Sequence, residues 1–73
     1  MTRKASVIIE KDEQGYYAWC PELKGYQSQG QDLEETMVNI REAIELYLET
    51  LSENERSLAF SQEIFTTSLE VHA

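Results

Sequence analysis

The sequence predicts an α+β domain. Its elements read β-β-β-α-β, with a four-stranded sheet of spatial order 3-2-1-4 and one helix on one face. Three observations carry this. Apolar residues recur at steps of three and four from Leu33 to Leu51, the period of a helix packed on one side. Short alternating and aromatic-rich segments precede that stripe, punctuated by glycine and proline. A segment of β character follows it at Ile64 to Val71. At 73 residues the chain has room for a single domain, residues 1–73.

Arg3 to Glu10 reads as the first strand, with Ala5, Val7 and Ile9 on one face and Ile8 on the other. Lys11 to Gly15 is a polar turn ending in glycine, so a hairpin is expected. Tyr16 to Cys20 is the second strand, stopped by Pro21, which has no N–H for a ladder. Pro21 to Gly25 is a turn, and Tyr26 to Gln29 a short third strand ended by Gly30. Asp32 is placed to cap the helix, with Glu35 three residues on as its capping-box partner. Its stripe is Leu33, Met37, Ile40, Ala43, Ile44, Tyr47, Leu48 and Leu51. Ser52 to Arg56 is polar and is read as a fraying end. Ile64 to Val71 is the fourth strand, with Phe65, Thr67, Leu69 and Val71 on one face. A right-handed crossover sets it beside the first. A close helix favours small residues beneath it, which puts Ala18 and Cys20 inward. Tyr17, Trp19 and Ile8 then lie on the uncovered face; the opposite register would bury Trp19.

Six Lys and Arg against 14 Asp and Glu leave a net charge of −8. That opposes binding to nucleic acid or anionic lipid and suits a basic protein partner. One cysteine excludes an internal disulfide and a multi-thiolate zinc site, and fits a reducing, cytoplasmic setting. No apolar run reaches the length of a membrane span, and Met1-Thr2-Arg3-Lys4 leads into a β segment without a signal-like core.

No catalytic constellation emerges. Glu10, Glu34 and Glu35 are the carboxylates that could be asked to hold a divalent metal. They read instead as a solvated strand end and a charged first helical turn. A reactive thiol needs a base or a cation nearby. His72 is the sole histidine and lies at the chain end, so Cys20 reads as a small core residue. The glycines lack phosphate-loop spacing. Neither enzyme activity nor a cofactor is expected. Tyr16, Tyr17, Trp19 and Tyr26 could stack bases, but the charge opposes it. Tyr16 and Tyr26 read as packing, and Tyr17 and Trp19 as a protein contact.

Gly15-Tyr16-Tyr17-Ala18, Pro21-Glu22-Leu23-Lys24-Gly25, Gln29-Gly30, Leu33-Glu34-Glu35 and Asn39-Ile40-Arg41-Glu42-Ala43-Ile44 occur in that order. Together they resemble the HicB-like antitoxin domain over nearly the whole chain. The resemblance implies a partial ribonuclease-H-like fold without catalysis. It also implies a partner, a small basic HicA-like toxin that cuts messenger RNA with a histidine and is neutralised by occlusion. Full-length members add a C-terminal DNA-binding module that represses their operon. The chain stops at Ala73, so that module is expected to be absent here. Tyr26, Gln31 and Thr36 depart from the residues usual at their positions.

Two surfaces are therefore expected to matter. Glu42, Glu45 and Glu49, continued by Glu53 and Glu55, would form an acidic docking face for the toxin. Ile8, Tyr17, Trp19, Phe65 and Leu69 would form an apolar interface, through the sheet face or the strand-four edge, that makes a homo-oligomer. The alternative function is a self-associating domain with no toxin.

Overall fold

A two-residue loop, Glu13-Gln14, starts the fold. The computed structural model describes residues 3–72 and pairs Asp12 with Gly15 across it. The Asp12 carboxylate accepts from the Gln14 N–H at 2.8 Å, and Gly15 takes φ +137°, open only to glycine at low cost. This hairpin joins β1 (Ile8–Asp12) to β2 (Gly15–Cys20), and β2 pairs antiparallel with β3 (Tyr26–Gly30). Two helices follow, α1 (Leu33–Glu49) and α2 (Glu53–Ala59). The readings placed on Met1, Thr2 and Ala73 lie outside the described residues.

The first strand begins at Ile8, not Arg3, and Pro21 explains the difference. In the observed register Ile8 faces Trp19, so Ser6 would face Pro21, which cannot donate. The Ser6 N–H turns to the Glu22 carboxylate instead, at 3.2 Å from both oxygens. Residues 3–7 thus flank the sheet without joining it.

The expected four-stranded, partial ribonuclease-H-like sheet of order 3-2-1-4 is not formed. The sheet has three strands in the order β1-β2-β3. Residues Ile64 to Val71 belong to no strand, and Phe65, Leu69 and Val71 are exposed. β propensity describes a side chain's fit to a pleated, half-buried surface and names no partner. The expected fraying end at Ser52 to Arg56 is likewise corrected, because α2 occupies it. Ser52 accepts from the Glu55 N–H at 3.1 Å, and the Glu55 carboxylate accepts from the Ser52 N–H at 2.8 Å. This is a complete capping box.

The core lies between α1 and one sheet face. Ala18 and Cys20 on β2 are fully buried, with Leu23, Ile40 and Ile44 around them. The small residues face the helix, as the packing argument requires. Tyr26 stacks on Tyr47 with centroids 4.3 Å apart, tying β3 to the last turn of α1. The start of α1 comes so close to the sheet that a Cβ on Gly30 would lie 2.6 Å from the Thr36 Oγ1. Gly30 is needed for that approach, while Gly25, at φ +77°, is needed for its turn. Thr36 is fully buried, its hydroxyl donating to the Asp32 carbonyl at 2.7 Å. Leu33 and Met37, expected in the inward stripe, are instead about half exposed.

Candidate partner-binding surfaces

A single helix on a three-stranded sheet leaves two broad surfaces pointing in opposite directions. One is the outer side of α1, the other the sheet face that α1 does not cover.

On α1, Glu42, Glu45 and Glu49 are all exposed and share the outward side at helical spacing. Val38 and Leu46 lie among them, 51% and 65% exposed. They are eight residues apart, so both stand on the flank that Glu42 occupies between them. Sequence reasoning missed this pair by following only the inward stripe. The signal was present in the same periodicity, one side further round.

On the open sheet face the register sets Ile8, Trp19 and Gln27 in one row across the strands, and Glu10, Tyr17 and Gln29 in the next. Ile8, Tyr17 and Trp19 are partly exposed there, on the face opposite α1. Phe65 and Leu69, expected beside them, are not on the sheet at all. They lie on the segment that follows α2.

The residues considered for chemistry do not converge. Glu10 is exposed on the open face, and Glu34 and Glu35 are exposed at the start of α1 on the other side. Glu35 is engaged locally, but its carboxylate accepts from the Gln31 N–H at 2.8 Å and not from Asp32, so the expected capping box is only half formed. Among the described residues no three His, Cys, Asp or Glu side chains group to hold a metal. Cys20 is buried, and its Sγ donates to Glu22 at 3.4 Å. Burial and the neighbouring carboxylate push the thiol up, so the thiolate is disfavoured. His72 is exposed and outside any element.

Among the described residues Glu22 is the buried charged side chain. Burial pushes its carboxyl up. Its own N–H, the Ser6 side chain and N–H, and the Cys20 thiol outweigh that and hold it below its ordinary value. Its role is to pin residues 3–7 against the turn after β2. No helix among the described residues is long and apolar enough to cross a membrane.

The family described as HicB_like antitoxin of bacterial toxin-antitoxin system matches residues 5–71. A UPF0150 protein of Helicobacter pylori is 56% identical over 55 residues, 75% of this chain and 74% of its own. A UPF0150 protein of Synechocystis is 55% identical over 47 residues, covering 63% of this chain and 60% of its own. An uncharacterised 14.9 kDa protein of Haemophilus phage HP1 is 36% identical over 58 residues, 80% of this chain and 44% of its own. No solved structure matches the chain. With nearly every residue from the first flanking segment to Val71 inside the match, the chain belongs to the HicB-like antitoxin family of bacterial toxin–antitoxin systems.

Proposed function

We propose that this chain is a non-enzymatic antitoxin that neutralises a small, basic, RNA-cleaving toxin in the cytoplasm by covering its active site with the outer side of α1. The carrying observation is that Glu42, Glu45 and Glu49 share one exposed side with Val38 and Leu46. Steering and adhesion are then supplied by the same surface. Acidic side chains raise the encounter rate with a cation-rich partner, and desolvated apolar groups hold it. No bond is made or broken by the antitoxin.

The test is co-purification with the small basic, histidine-containing protein of the neighbouring reading frame. The wild type is expected to bind it and suppress RNA cleavage. Reversing Glu42, Glu45 and Glu49 to lysine should abolish both, and binding to the wild type should weaken as salt rises. A complex that survives the triple reversal would overturn this surface.

A second reading is favoured by the partly exposed Tyr17 and Trp19 on the open face. In it the chain self-associates through that face and needs no toxin. Trp19→Ala would then dissociate the assembly into folded monomers, and no basic partner would co-purify.

A further inference from the structure

All three arginines of the chain, Arg3, Arg41 and Arg56, line one groove. In a protein of net charge −8 this is an unexpected concentration of cations. The groove, of about 570 Å³, runs between residues 3–7, α1 and the α2 segment. Ala5, Val7, Met37, Ile40, Ile44, Leu48 and Phe60 give it an apolar floor. Its rim holds the three arginines and two glutamates, Glu45 and Glu53, a net charge of +1. Arg3 and, at 3.8 Å, Arg56 both pair with Glu53, and the Arg56 Nε–H donates to the Leu48 carbonyl at 2.9 Å. Among the described residues Arg41 has no ion-pair partner.

The same chain carries a segment of complementary character. Phe65, Leu69 and Val71 are 85%, 80% and 79% exposed, more than any other large apolar side chain described. With Thr67 they alternate, so an extended arm presents them on one side. The acids of the arm are Glu63 and Glu70, and it has no lysine or arginine. It is also part of the family domain, whose match extends to residue 71.

The arm does not enter its own groove. The Gln62 side chain donates to the Glu22 and Ala59 carbonyls, both at 3.1 Å. That anchor sits with Leu23, Tyr47 and Leu58 in a separate depression, and no residue of the arm lines the arginine groove. We infer that residues 63–72 of one copy dock in the arginine-rimmed groove of a second copy, and the reverse, giving a dimer by mutual arm exchange. Phe65, Leu69 and Val71 fill the apolar floor while Glu63 and Glu70 meet the rim cations. When the exchange is mutual it closes in a two-fold dimer, whereas one-way docking of arm into groove would run on as an open chain. The inference concerns self-association only and does not depend on a toxin.

The experiment uses the full chain in sedimentation equilibrium at micromolar concentration. The wild type should be dimeric. Phe65→Ser with Leu69→Ser should weaken the dimer about tenfold or more and leave the circular dichroism of the monomer unchanged, since both side chains are exposed there. Arg41→Glu should weaken it from the groove side. In a mixture of a Met37→Cys copy and a Leu69→Cys copy, a thiol cross-linker should join arm to groove at twice the mass of one chain; buried Cys20 should not compete. A monomeric wild type would overturn the inference. So would a dimer indifferent to the arm and groove variants but broken by Trp19→Ala, which would assign self-association to the sheet face. Cross-linking confined within single chains carrying both cysteines would also overturn it.

Discussion

The two helices of this chain share an N-cap bond at their heads, closed into a full capping box only in α2, and they end in different circumstances. Asp32 accepts from the Glu35 N–H at 2.7 Å at the head of α1, and Ser52 accepts from the Glu55 N–H at 3.1 Å at the head of α2. Beyond the caps the resemblance stops. α1 buries Thr36, Ile40 and Ile44 against the sheet, whereas α2 buries no residue, and Phe65, Leu69 and Val71 after it stand in solvent. Local capping is enough to start a helix. Only a facing layer of the fold turns one into core, because most helical stability in proteins comes from packing an apolar face.

The largest expected effect separates the two regions directly. Ile40 is 2% exposed, and Ile40→Ala should cost about 2–5 kcal/mol, much of the stability available to so small a domain. Leu58→Ala, on the exposed side of α2, should change stability by less than about 0.5 kcal/mol. Urea melts of both variants check this. Equal costs would mean that α2 belongs to the core after all.

Gly30 tests how closely the first region is fitted. A Cβ there would meet the Thr36 Oγ1 at 2.6 Å and its backbone nitrogen at 2.8 Å. Gly30→Ala should therefore cost about 1–3 kcal/mol. Adding Thr36→Ala should return only part of the loss, because the backbone contact remains. Full recovery in the double variant, measured by thermal unfolding, would place the whole clash on the hydroxyl.

How much of this was legible in the sequence follows the same division. The inward placement of Ala18 and Cys20 was legible, since a helix lying close over a sheet leaves room only for small side chains. The cap at Asp32 was legible because a long stripe followed it. Ser52 and Glu55 form the same signature, but it precedes a polar stretch, and without a stripe it reads as fraying. Ile64 to Val71 was misread because alternation records a preference for an extended chain and not the presence of an edge to pair with. The arginine groove could not be read at all. Arg3, Arg41 and Arg56 are brought together only by the packing of three separate segments. The outer side of α1 was half legible: Glu42, Glu45 and Glu49 were found, while Val38 and Leu46 between them were not.

Glu22 joins the flanking residues 3–7 to the first region, and pH should expose that link. Its carboxyl lies below its ordinary value in the fold, so it contributes stability above the carboxylate pKa of the unfolded chain, about 4.3. That contribution is lost as pH falls through the lowered folded value. Glu22→Gln should cost about 1–2 kcal/mol at neutral pH by replacing charge-assisted hydrogen bonds to Ser6 with neutral ones. It should also flatten the fall in stability between pH 5 and the acid limit. Chemical denaturation across that range checks both statements. An acid limb as steep in the variant as in the wild type would assign the acid sensitivity to other carboxylates.

The smallest effect should fall on α2, and its character matters more than its size. Ser52→Ala removes the side-chain half of the capping box and should cost about 1 kcal/mol of local helix stability. In α1 such a loss would be shared with the core. α2 has seven residues and no buried side chain, so the loss should appear as melting of that turn alone. Amide exchange should therefore accelerate at Arg56 and Phe60, whose N–H groups bond the Ser52 and Arg56 carbonyls, and stay unchanged at Ile40 and Ile44. Melting of α2 would also release the Arg56 side chain from the Leu48 carbonyl and loosen one rim of the arginine groove. If the groove receives the arm of a second copy, Ser52→Ala should weaken the dimer while leaving the urea midpoint of the monomer nearly fixed. Acceleration spread evenly over α1 and α2 would show that the two helices unfold as one unit, and the contrast between them would then be one of exposure alone.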